Sequence, residues 1–171
     1  MYFPYSEEFI LERQKRYIFE EVGSKYKGKN AKEWPEFNIQ WDLTPDNFYL
    51  SLDGESAESV SESYNKGFSL GKVATNDIYE NLFYNCKLTN SEDFWSTCIA
   101  SKACGVLGRW LKNELITPPL IKPYEGNLLI IGGNHRFNVA RLAGAEIIYF
   151  ITPYECKDEI IAIIPSVVWV T

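Results

Sequence analysis

The residue types able to do chemistry are concentrated in one short run, Gly132-Gly133-Asn134-His135-Arg136, which holds the only histidine in the 171-residue chain. A double glycine lets the backbone turn sharply or approach another group closely. If a helix starts directly behind it, the amides of the first turn have no partner inside the helix and carry the positive end of its dipole. Beside an asparagine amide, an imidazole and a guanidinium, these amides make a donor-rich, partly cationic cluster whose complement is an anion, above all a phosphate. Arg136 suits two-point contact with phosphate oxygens. His135 has the chemistry of a phosphate ligand, of a general acid or base, or of a packed turn histidine, and Asn134 that of a ligand-orienting group or helix cap.

The elements that must position this run are legible around it. Leu128 to Ile131 is a short run of β-formers, and Val139, Ala140, Leu142 and Ala143 recur at helical spacing before Gly144, a residue suited to end a helix. Strand, turn and helix are therefore predicted over Asn127 to Gly144. Nearer the N-terminus, Ser6 followed by Glu7 and Glu8 predicts a helix through Ile10, Tyr17, Ile18 and Val22 that stops at Gly23. Ser24 to Lys32, with Lys25, Lys27, Lys29 and Lys32, reads as a solvated basic loop. Phe37 to Trp41 and Phe48 to Leu52 are predicted short strands around the turn Thr44-Pro45-Asp46-Asn47, and Asp53 to Ser63 a loop or surface helix. Asn76 and Asp77 open a predicted helix to Cys86, with Ile78, Leu82 and Phe83 inward. Ser91 opens a longer one through Trp95, Ile99, Val106, Leu107 and Trp110 toward Leu115, weakened by Gly105 and Gly108 and stopped by Thr117-Pro118-Pro119. Leu120 to Lys122, Glu146 to Ile151, Glu159 to Ile164 and Val167 to Val170 complete the predicted strands. The order implies an α+β or mixed α/β domain: a small mixed sheet with flanking helices over residues 33–171, with residues 1–32 as a helical extension.

Composition narrows the function. An apolar content of 46% with 15% aromatics excludes a disordered chain, and a net charge of -6 with a pI near 4.9 argues against extended DNA binding. From Glu33 to Asn65 there are eight acidic residues and neither lysine nor arginine, read as a solvated acidic edge; Asp42, Asp46 and Asp53 lack the spacing of a calcium loop. Cys86, Cys98, Cys104 and Cys156 form no CxxC pair and have no histidine at ligand spacing, so buried thiols are expected rather than zinc or a redox pair. The opening MYFPYSEEF has no basic-then-apolar signal pattern and no apolar run approaches a membrane span, which leads to an expected cytoplasmic location without membrane attachment.

The stretch LLIIGGNHRFNVARLAGAEIIYFI, preceded by TPPLIKPYEGN, resembles the core of the ParB/sulfiredoxin superfamily over about Ser101 to Ile151. The resemblance implies a nucleotide held by its phosphates, with Gly132, Gly133, His135 and Arg136 at the family's phosphate-binding positions and Lys102 where the sulfiredoxin branch carries a nucleotide-contacting lysine. Two departures limit the transfer. Gly105 and Arg109 stand where that branch has hydroxyl residues, and Asn134 replaces its attacking cysteine, which removes sulfinic-acid reduction. The chromosome-partition branch has Glu at that same position in a GERR motif, followed by a helix-turn-helix region, which is not expected in the strand-like residues after Gly144.

The expectation from residues and resemblance together is a nucleotide-binding domain acting on a phosphate by NTP hydrolysis, phosphotransfer or nuclease chemistry. His135 and Arg136 would be catalytic, a nucleoside di- or triphosphate bound with Mg²⁺, and Asp42 or Asp46 would be the acidic partner. The alternative is a non-catalytic module that senses a nucleotide or holds a protein partner or a second copy of itself, in a phage-defence, plasmid or mobile-element setting. In a third reading the glycine turn is purely structural.

Overall fold

The computed structural model of the protein describes residues 7–170. Seven α-helices are α1 (Glu7–Ser24), α2 (Ala57–Ser63), α3 (Thr75–Asn81), α4 (Ser91–Thr97), α5 (Ala100–Leu111), α6 (Asn134–Leu142) and α7 (Lys157–Ile163). Five strands, β1 (Phe68–Ala74), β2 (Leu120–Tyr124), β3 (Asn127–Gly132), β4 (Ile147–Pro153) and β5 (Val168–Val170), form one mixed sheet in the order β3-β2-β4-β1-β5. The β2–β4 pair is parallel and the other neighbours antiparallel. This is an α+β fold, as the order of elements implies. Ser6, the expected cap of α1, lies outside the described residues.

Alternation along the strands builds a core on each face of the sheet. Ile121, Ile148 and Phe150 join the main core with Leu107 and Trp110 of α5, Phe137, Val139 and Ala140 of α6 and Ile160 of α7. Their neighbours Leu120 and Ile151 point the other way and pack with Phe48, Leu52, Tyr64, Phe68 and Leu70. Phe48, Leu52 and Tyr64 of the acidic segment thus cover the second face, while its carboxylates other than Asp42 are exposed, as a solvated edge requires.

Several elements differ from the sequence reading, each for a packing reason. Phe37 to Trp41 is irregular apart from a bridge at Trp41, because Phe37 stacks on Trp110 at 6.1 Å and Trp41 meets the same ring edge-on at 5.3 Å. Residues four apart cannot share a target from a regular strand of this length without leaving the pleat. Pro45–Ser51 is a 3-10 helix: proline starts it, and Phe48 and Ser51, three apart, are the buried pair. Glu159 to Ile163 belongs to α7 and Ile164 is its C-cap, with Ile160 and Ile164 buried one turn apart. The long helix from Ser91 is two helices, α4 capped by Asn90 and α5 starting afresh at Ala100, separated by the extended Cys98 and Ile99. The strand β1 has no counterpart among the sequence expectations, yet it pairs with β4 over its whole length and with β5 on its other side. None of the four cysteines is in a disulfide; Cys104 is buried and the others are half-buried.

The helix α1 lies along α5 through reciprocal close contacts between backbones. A methyl group at Gly23 would stand 1.9 Å from the Cys104 carbonyl oxygen, and one at Gly108 would stand 1.8 Å from the Phe19 carbonyl oxygen. Phe19 is buried in this interface, whereas Ile10, Tyr17 and Ile18, three of the apolar residues that mark the helix in the sequence, are about half exposed. The inward face is set by where the glycines let the helices touch. Arg16 and Glu12 are thereby brought to the mouth of a cleft that also receives the first turn of α6.

Candidate functional site

The cleft, about 390 Å³ in volume, lies between α1, α5, the turn after Ser51, the Leu115–Thr117 segment and the start of α6. Four of its residues are cations, Arg16, Lys102, Arg109 and Arg136, against the carboxylates Glu12, Asp42 and Asp53. This is a local positive excess in an acidic protein.

Arg136 is the structural centre of the site. At 8% exposure it is a buried cation, and Nη1 donates to both the carbonyl oxygen and the hydroxyl of Thr117, at 2.8 and 2.7 Å. Its Nη2 stands 3.9 Å from Asp53 Oδ1. Burial lowers the guanidinium pKa to about 10, Asp53 opposes that and Arg109 adds to it, so the side chain stays charged at neutral pH. Thr117 is fixed by its neighbours: Ser51 Oγ donates to the Pro118 carbonyl at 2.6 Å, and the Ile151 amide donates to the Pro119 carbonyl at 2.9 Å. The helix α5 ends at Leu111, short of the expected proline stop, with Asn113 left-handed behind it, and the Thr-Pro-Pro segment instead braces Arg136 between β4 and the 3-10 helix.

Gly133 is the N-cap of α6 with φ 86°, a left-handed conformation that favours glycine, and a methyl group there would meet Arg136 Cδ and Nε at 2.9 Å. It supplies no side-chain cap, so the first amides of α6 keep their hydrogen-bonding capacity. Gly132 has a different role. It ends β3 with Ser51 against it, since a methyl group would fall 2.1 Å from the Ser51 carbonyl oxygen. Asn134 is also outside the cleft lining: its side-chain oxygen accepts from Asn138 Nδ2 at 3.0 Å. Of the residues expected from the sequence, Gly133, His135, Arg136 and Lys102 converge on the cleft, while Gly132 and Asn134 support it from behind.

His135 Nε2 accepts a hydrogen bond from the Ile99 amide at 3.1 Å, which joins the first turn of α6 to the point where α5 begins. Burial, with the charge of Lys102 and of Arg136, lowers the imidazole pKa; Asp53 opposes this without reversing it. The unfolded chain then binds a proton at His135 more readily than the folded protein does. This contribution to stability is complete above about pH 6.5 and is lost as the pH falls from there through the folded-state pKa. Urea unfolding between about pH 7.5 and pH 5 should show a steeper loss in wild type than in His135→Gln; parallel curves would mean that the imidazole is not held neutral.

Sequence reasoning missed Asp53 as the acid of the site. Lys102 Nζ donates to Asp53 Oδ2 at 2.5 Å, and burial, which raises the carboxyl pKa, is outweighed by Lys102, Arg136 and His135, so the pKa is lowered. The signal was the Asp53-Gly54 turn pair at the end of an apolar run. Of the acids expected to act, Asp42 lines the cleft but accepts from the Thr44 amide and from Asn47 Nδ2, and Asp46 is not in the lining. Among the described residues no group of three or more His, Cys, Asp or Glu side chains is placed to hold a metal ion, and no helix is long and apolar enough to cross a membrane. No family model, curated protein or solved structure matches the chain.

Proposed function

We propose that the protein binds a nucleoside phosphate in the cleft, with the phosphates on Lys102, Arg136 and the first amides of α6. The base and sugar lie along the apolar flank of Leu50, Val106, Leu115 and Ile116. The observation that carries this reading is the convergence of Lys102 and Arg136, from two different helices, on a single anionic group. The half-exposed Leu50 and Leu115 give the rim apolar surface that a base can cover. The resemblance of residues 101–151 to the ParB/sulfiredoxin superfamily supports the same assignment. Glu12, Asp42 and Asp53 do not form a ready metal cage, so a Mg²⁺ ion would arrive on the phosphates and keep much of its water. In hydrolysis, phosphotransfer or nuclease chemistry, Arg136 and the helix amides would stabilise charge on the transferred phosphoryl group.

A second reading, binding without turnover, is favoured by one contact. The acceptor nitrogen of His135 is already engaged by the Ile99 amide, which makes the residue a tie between helices rather than a free base.

Calorimetry with ATP, ADP and AMP, with and without Mg²⁺, tests the assignment. Lys102→Gln should weaken ADP binding roughly tenfold, about 1.4 kcal/mol, with little change in stability because Lys102 is partly exposed. Phosphate release during the same incubation separates the two readings. If millimolar nucleotide binds neither wild type nor an Asp53→Asn variant, whose cleft lacks the competing charge, the proposal fails.

A further inference from the structure

The Asp53 carboxylate lies between the two cations assigned to phosphate. Lys102 Nζ contacts Oδ2 at 2.5 Å and Arg136 Nη2 stands 3.9 Å from Oδ1. Two oxygens are presented to an ammonium and a guanidinium, the same donor pair that a phosphate would engage.

The tip of the turn carrying this carboxylate is exposed, between packed residues on either side. Ser51, fully buried, is fixed by its bond to the Pro118 carbonyl, but two residues later the Asp53 side chain is 58% exposed. A methyl group at Gly54, φ +81°, would have nothing within 4 Å, so the tip of the turn faces open space. The turn is closed by the Glu55 amide on the Leu52 carbonyl at 3.4 Å, near the limit of a hydrogen bond. Residues 53–55, between the packed Leu52 and Ser56, the cap of α2, can therefore move without disturbing the core.

Building on the nucleoside-phosphate reading, we propose that Asp53 is a built-in anion that holds the phosphate position until a ligand displaces it. The carboxylate neutralises two cations that would otherwise repel each other. It also competes at the high effective concentration of a tethered group, so a ligand must make more contacts than one carboxylate can. That requirement selects di- and triphosphates, which can extend toward Arg109 and Arg16, over monophosphates.

The test uses inorganic pyrophosphate, ADP and AMP on the whole chain, comparing wild type with Asp53→Asn and Asp53→Ala, each checked for native circular dichroism. Both variants should bind pyrophosphate and ADP about tenfold more tightly than wild type, and the preference over AMP should narrow. In wild type, saturating ADP should raise amide hydrogen exchange across residues 53–55, since the turn is released. Equal or weaker binding by the variants, or slower exchange in that turn, overturns the displacement mechanism but leaves the binding assignment standing. If none of the three proteins binds, both fall together.

Discussion

Gly108→Ala is expected to destabilise the protein by about 3 kcal/mol, although alanine is the better helix former by roughly 1 kcal/mol. The residue sits inside α5, where an exposed glycine would normally be improved by the change. Here the added methyl group would stand 1.8 Å from the Phe19 carbonyl oxygen, and what it meets is backbone, which cannot rotate away as a side chain can. To relieve the overlap α1 must lift from α5, exposing the buried Phe19 and drawing Arg16 and Glu12 from the mouth of the cleft. Gly23→Ala should behave alike because its methyl group would meet the Cys104 carbonyl oxygen at 1.9 Å. Urea unfolding measures both. Stabilisation by either alanine would show that the helices do not cross at these glycines.

Arg136→Met should have the largest effect on binding, about 100-fold, with a loss of stability of about 2–3 kcal/mol. Methionine approximates the aliphatic stem but donates no hydrogen bond. The Thr117 carbonyl and hydroxyl, which accept from Nη1 at 2.8 and 2.7 Å, are then left in a buried site. Most of the stability loss comes from these orphaned acceptors. The ion pair with Asp53 contributes little, since at 3.9 Å with an exposed partner it is strongly screened. Arg136→Lys should recover part of the charge without the fork that reaches Thr117, and so restore more binding than stability. Thermal unfolding and calorimetry at a temperature where the variants remain folded separate the two effects; a change below about 0.5 kcal/mol would mean that the Thr117 contacts contribute little.

The local signals that proved readable share one property: their cause lies within a few residues. The run from Asn127 to Gly144 forms strand, turn and helix, with Gly133 left-handed at the start of α6 and Gly144 left-handed at its end. There the amides of Gly144 and Ala145 return to the carbonyls of Arg141 and Ala140. The errors have a common origin as well. Phe37, Trp41 and Phe48 look like strand residues because they are aromatic and regularly spaced, but their spacing serves Trp110 and the second face of the sheet. Ile160, Ile161, Ile163 and Ile164 look β-like by composition, while only Ile160 and Ile164 need full burial, which a helix provides. β1 escaped because Gly71 and Lys72 interrupt its alternation, and its stability comes from partners far along the chain.

For the site, the amino-acid sequence by itself determined that a glycine turn would lead Asn134, His135 and Arg136 into a helix, because backbone conformation at glycine and helix start signals are local. It also placed Lys102 on a second helix, and the family resemblance singled that lysine out. Only the tertiary structure decided what those residues face. The break at Cys98–Ile99 gives His135 an amide to accept from, the Thr-Pro-Pro segment takes up Arg136, and Ser51 sets Asp53 between Arg136 and Lys102. Lys102 and Asp53 are separated by 49 positions. No local rule relates residues so far apart, and the contact exists because α5, the sheet and the segment covering its second face pack around one core.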